Sequence, residues 1–199
     1  MRFKDYFNLI LEEEIKNFAR DEEYMAAVKS GNTAKQQSMV DSAAKDAGYT
    51  IGPLYHGSPV KGFDNFDTTL PSRKKTIGKA IFMSSSEDFA GYFTKDESTE
   101  EWPGEVRKFY VSGNFESIPE DVAKLGDKNE QEILNSAKMR GFDGVIFLQP
   151  DWDFEDQGDN YAILNPNLIK SADPITIDKL GNIIPLSQRF DHSQNSIFY

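Results

Sequence analysis

A chain of 199 residues can hold one domain with a full core and is too short for two ordinary ones. Its 33 acidic and 22 basic side chains leave a formal charge of -11, which opposes binding along a nucleic acid backbone unless the basic groups gather in a patch. The absence of cysteine excludes disulfides and thiolate metal sites, and two histidines far apart argue against a zinc centre.

The first segment places Phe3, Phe7, Leu11, Ile15 and Phe18 three or four positions apart among acids and lysines. This spacing predicts an amphipathic helix over 3–18 whose apolar face needs a surface: its own domain, a partner, or a second copy. A second helical pattern runs from Glu23 to Ser30 and stops at Gly31-Asn32, and a third covers Thr33 to Ala47, closed by Gly48. All three read as packing or adaptor material, because none gathers convergent polar groups. No run of about 18 apolar residues occurs and the first segment does not read as a signal peptide, so a soluble, cytosolic protein without membrane contact is expected.

A strand follows over Tyr49 to Tyr55, broken by Gly52-Pro53, and delivers His56 to the turn Gly57-Ser58-Pro59. A strand end opening into such a turn is a common place to present binding groups. Residues 61–79 read as a long loop with five basic groups, among them Arg73, Lys74 and Lys75. Ala80 to Met83 reads as a short buried strand, and Ser84-Ser85-Ser86 offers capping hydroxyls to a helix carrying Phe89 and Tyr92 on one face. Beyond a polar turn region, Glu105 to Val111 is a strand, 127–140 a helix with Asp127 as its cap, and Gly144 to Leu148 a buried strand. The loop 149–159 carries Asp151, Asp153, Glu155, Asp156 and Asp159, but lacks the glycine and closing glutamate of a calcium-binding EF-hand, so it reads as solvated and no metal is expected. Tyr161 to Leu164 is the last clear strand. Short strands with scattered helices imply an α+β domain rather than regular β-α-β alternation.

Three of these pieces, in order, resemble the ADP-ribosyltransferase fold of the diphtheria-toxin and poly-ADP-ribose polymerase type. They are Tyr55-His56-Gly57-Ser58; Gly78-Lys79-Ala80-Ile81-Phe82 with Tyr92 downstream; and Asp159 to Asn165. The run from Glu23 to Gly48 and the tail Lys170 to Phe190 are similar to transferase-like domains of phage and mobile-element polyvalent proteins. The resemblance implies a split β-sandwich of short strands over 49–199, preceded by an N-terminal helical segment over 1–48.

It also implies NAD as co-substrate. His56 would bond the adenosine ribose, the Gly57 backbone the carboxamide, and Ser58 could add a hydroxyl contact. Phe82 and Tyr92 would hold the nicotinamide ring, and Arg73, with Lys74 and Lys75, would reach the pyrophosphate. The family's last motif supplies a glutamate to stabilise an oxocarbenium-like transition state and align or deprotonate the acceptor. This chain departs there: Asn160 precedes Tyr161, and an amide offers no charge. Asp159, one residue earlier, is the expected catalytic carboxylate. Neighbouring strand residues point to opposite faces, however, so Asp159 and Asn160 cannot share one pocket unless a bulge intervenes near Gly158. The implied activity is mono-ADP-ribosyl transfer to a host or phage macromolecule, a protein acceptor first, with nucleic acid left open. The alternatives are a catalytically degenerate binding or structural module, and an NAD glycohydrolase; Glu155 is the other carboxylate that could complete the site.

Overall fold

The computed structural model describes residues 3–66, 80–95, 101–119, 127–148 and 158–199. Arg73, Lys74, Lys75, Gly78, Lys79 and Glu155 lie outside the described residues. The described chain is mixed α+β, with one seven-stranded sheet and a few helices.

Helix α1 runs unbroken over Phe3–Lys29, where the sequence suggested two helices. No glycine or proline interrupts residues 19–22, so nothing forces a break. Arg20 and Asp21 instead anchor the helix by bonding Asp46 at 3.1 Å and the Ser187 amide at 2.9 Å. Gly31 (φ 68) ends the helix, and the Asn32 side chain then accepts from the Lys35 amide, capping α2 over Thr33–Asp46.

The strands are β1 (Ile51–Ser58), β2 (Ile81–Ser84), β3 (Glu105–Val111), β4 (Phe115–Ile118), β5 (Gly144–Phe147), β6 (Asn160–Ile163) and β7 (Ile169–Ser171). Their order across the sheet is β4-β5-β6-β2-β1-β3-β7, antiparallel throughout except between β4 and β5. Gly52-Pro53 bends β1 without ending it, and the pairing with β3 shifts register between Ile51 and Leu54, as expected where proline removes a donor. Helix α3 spans Glu87–Gly91 and helix α4 Asp127–Met139. Ser86 caps α3 by accepting from the Phe89 amide at 3.2 Å, so the serine run performs the capping its composition suggested.

Strand alternation sorts the side chains into two faces. On one, Phe82, Val145, Phe147 and Ala162 pack with Leu134 and Ala137 of α4, while Tyr110 of β3 packs with Tyr24 of α1 and Val40 of α2. On the other, Leu54, Ile81, Met83, Phe109 and Ile163 are covered by Phe63, Phe66 and the C-terminal Ile197 and Phe198. The helices thus cover one face, and a turn and the tail cover the other. Because Tyr24, Val40, Ala43 and Ala44 share a core with Tyr49, Ala172 and Phe190, α1 and α2 are fastened to the sheet by buried apolar contact.

Among the described side chains of the first half of α1, the large apolar ones lie open. Leu11, Ile15 and Phe18 fall on one stripe and all are exposed, Ile15 at 63% and Phe18 at 65%. Among the described residues, no helix is long and apolar enough to cross a membrane.

Candidate functional site at the opening of the sheet

The sheet is weakly joined at one place. β1 and β2 pair through a single residue pair, Tyr55 with Ser84, whereas β1 and β3 pair from Leu54 through Ser58 and β2 and β6 over four residues. Beyond Tyr55, β1 runs on with His56, Gly57 and Ser58 and no further ladder toward β2. The two half-sheets therefore open at the strand that carries the histidine.

His56 bridges this opening. Its Nδ1 lies 2.7 Å from the Phe82 carbonyl. A carbonyl only accepts, so Nδ1 carries the proton. Burial holds the imidazole pKa below its usual value; the Phe82 carbonyl works against that shift, and the Arg107 guanidinium adds to it. A neutral ring with Nδ1–H committed leaves Nε2 as a lone-pair acceptor. Such a group accepts from a hydroxyl.

Gly57 faces the helical side. A Cβ built there would lie 1.8 Å from the Ala90 carbonyl oxygen and 3.2 Å from Phe93 Cβ. Glycine at this position is therefore required by the close approach of α3, whatever a ligand needs. Tyr92 follows in the 3-10 turn Tyr92–Thr94 and is 53% exposed. Phe89, expected to share its face, is buried and packs edge-on against Phe93 at 5.3 Å. The helix ends at Gly91, one residue before Tyr92. Ser58 uses its hydroxyl oxygen to accept from the Val60 amide at 3.1 Å, which makes it a turn residue first.

Strand β6 is regular. Its register with β2 runs unshifted from Ile163 to Asn160, and the Ser85 amide extends it by donating to the Asp159 carbonyl at 2.9 Å. Ser85 Oγ also accepts from the Asp159 amide at 2.8 Å. Gly158 (φ 62) feeds the chain into this pairing, and a Cβ there would lie 2.3 Å from Ser85 Oγ. With no bulge, Asp159 and Asn160 take opposite faces. Asn160 is 3% exposed, paired with Ser84 and Phe147 on the helical face. Asp159 belongs with Tyr161 and Met83, on the face of Leu54 and His56. Burial raises the Tyr161 pKa and the Asp159 carboxylate raises it further, placing that charge near the phenol.

The fold thus sets His56, Gly57, Ser58, Phe82 and Asn160 on three neighbouring strands, β1, β2 and β6, with Asp159 at the entry to β6. Alternation puts His56, Ser58 and Asp159 on one face and Gly57, Phe82 and Asn160 on the other. Phe82 packs toward α4, and its backbone, rather than its ring, meets the histidine. Sequence reasoning missed three neighbours of His56. Arg107 stands opposite it on β3, and Phe63 and Phe66 meet its ring edge-on at 6.1 and 5.0 Å. The signals were there: the Phe-x-x-Phe spacing in KGFDNF, and Arg107 sharing the alternation of Phe109 and Val111.

No protein-family model matches this chain, and no curated protein matches it.

Proposed function

We propose that this chain is an NAD-dependent mono-ADP-ribosyltransferase whose site lies where β1 and β2 separate. The observation that carries the reading is the bond from His56 Nδ1 to the Phe82 carbonyl at that opening. It orients a neutral imidazole with Nε2 free to accept a ribose hydroxyl. The ADP-ribosyltransferase fold belongs to the same proposal. Its support is a mostly antiparallel sheet, divided at the histidine strand, with the last motif on the strand beside β2.

In this reading Asp159, on the face of His56, is the catalytic carboxylate. The bond between ribose C1′ and the nicotinamide nitrogen breaks, the electron pair leaves with nicotinamide, and the acceptor's nucleophile bonds to C1′. Asp159 stabilises the developing positive charge and takes the acceptor's proton. Asn160 is buried on the opposite face and supports the strand. A second reading, NAD binding without turnover, is favoured by one observation: the position before Tyr161 carries an amide with no charge to offer.

Calorimetric titration of NAD into the chain tests the site. Binding is expected, and His56→Ala should weaken it about tenfold, the loss of about 1.4 kcal/mol typical of one buried hydrogen bond. No binding heat from the folded chain at millimolar NAD would sink both readings.

A further inference from the structure

We propose that the C-terminal segment Ser196–Phe198 is a positioning strap for His56, acting through the Phe63–Phe66 turn rather than by touching the ring. The strap is stitched on both sides. The Ile197 amide donates to the Asp64 carbonyl at 2.9 Å, and the Ile197 carbonyl accepts from the Ser171 amide of β7 at 2.7 Å. Ser196 forms an antiparallel bridge with Asn65. Lys170, also on β7, donates to the Gln194 and Ser196 carbonyls at 2.7 and 2.8 Å. The turn is thereby tied to the far edge of the sheet by a segment more than a hundred residues away in sequence.

Side chains repeat the connection. Ile197 is buried in the same core as Leu54 and Phe109, and Phe198 packs against that core. The Arg107 guanidinium lies 5.3 Å from the Phe198 ring and 5.1 Å from the Phe63 ring, and donates to the Phe63 carbonyl at 2.9 Å. Asp64 and Asn65, the two residues that the strap holds, sit between Phe63 and Phe66, whose rings meet the imidazole edge-on.

The histidine needs such support. One hydrogen bond at Nδ1 leaves the ring free to tilt, because the terminal torsion of an imidazole is broad. Two aromatic edges set that tilt and exclude water from the ring. The turn itself has no regular structure; besides the strap, Gly62 donates to Glu105 Oε1 at 2.8 Å. Among the described residues, Arg107 on β3 is the charge that acts on the imidazole; the elements packed around it also carry Asp64, paired with Lys179 at 3.1 Å, Glu105 at the start of β3, and Asp159 beside β6 on the same sheet face.

The inference rests on His56 being the binding group proposed above, yet its test needs no ligand. The imidazole is titrated by NMR in the full chain and in four variants. Ile197→Pro removes the donor to Asp64, Phe198→Ala loosens the strap gently, Phe66→Leu removes a ring edge while keeping apolar volume, and Ile197→Val is the conservative control. The first three should raise the His56 pKa by at least about 0.5 unit as water reaches the ring, and the control should leave it in place. NAD affinity should fall about tenfold in Phe198→Ala. Where Ile197→Pro does not fold, Phe198→Ala and Phe66→Leu decide. A His56 pKa unmoved in the folded variants overturns the strap, whatever NAD does. A pKa that moves in a chain with no NAD affinity leaves the strap standing and removes the transferase reading.

Discussion

Replacing Gly57 by alanine is expected to cost about 2–3 kcal/mol of stability, before any ligand is considered. The new Cβ would sit 1.8 Å from the Ala90 carbonyl oxygen, and the atom it meets is backbone rather than the end of a flexible chain. Restoring ordinary contact requires α3 to retreat by roughly 1.5 Å. Forcing an extra carbon into packed structure costs about 1–3 kcal/mol, and the upper half applies where a helix must move. Urea unfolding measures it: with a slope of about 2 kcal/mol per molar, the midpoint should fall by about 1 M. Gly91→Ala is the internal control. It lies in the same helix with nothing within 4 Å of a built Cβ, so alanine should be neutral or stabilise by up to about 1 kcal/mol. A Gly57→Ala chain within about 0.5 kcal/mol of the parent would refute the close approach of α3 to β1. Loss of NAD binding in that variant is therefore no proof of a ligand contact at Gly57.

Other expectations concern groups outside the site. Lys170 is 1% exposed, and burial pulls its ammonium down to about 8, opposed by Asp191. The folded value lies below that of the unfolded chain, so between about pH 8 and about 10.4 the unfolded state holds the extra proton, and this group's contribution to stability rises across that window. Urea unfolding of the parent should gain roughly 1–2 kcal/mol relative to Lys170→Met between pH 7.5 and 9.5, and parallel pH profiles would contradict it. Ile15→Gln and Phe18→Gln should each change thermal stability by less than about 0.5 kcal/mol, because both side chains already lie in solvent; a larger loss in dilute solution would reveal a covering surface.

The sequence made the edges of the site legible and hid how its parts sort onto faces. His56 at the end of an apolar run, the serine cap of α3 and the glycine after α2 are local chemistry, and local chemistry is written in consecutive residues. Strands β4 and β7 leave no periodic signal in the sequence. β7 is three residues long and wholly buried, so it has no alternation to detect, and β4 is four residues whose partner β5 lies beyond α4. The fused α1 escaped for the opposite reason: a lapse in the apolar pattern at residues 19–22 looks like a break, but tertiary bonds from Arg20 and Asp21 occupy those positions. The choice between Asp159 and Asn160 depended on whether β6 bulges. That is decided by pairing with Ser84 and Ser85, some 75 residues earlier in the chain. The packing role of Gly57 is invisible in the sequence, since no local pattern announces the carbonyl of Ala90.

The most direct test is nicotinamide release from NAD, measured by chromatography in the presence of bacterial lysate, for the parent chain, Asp159→Asn and Asn160→Ala. The expected result is release by the parent, a fall of about a hundredfold or more in Asp159→Asn with NAD binding retained, and release within about tenfold of the parent in Asn160→Ala. Turnover that survives Asp159→Asn, or that disappears in a folded Asn160→Ala, would contradict a catalytic carboxylate on the face of His56.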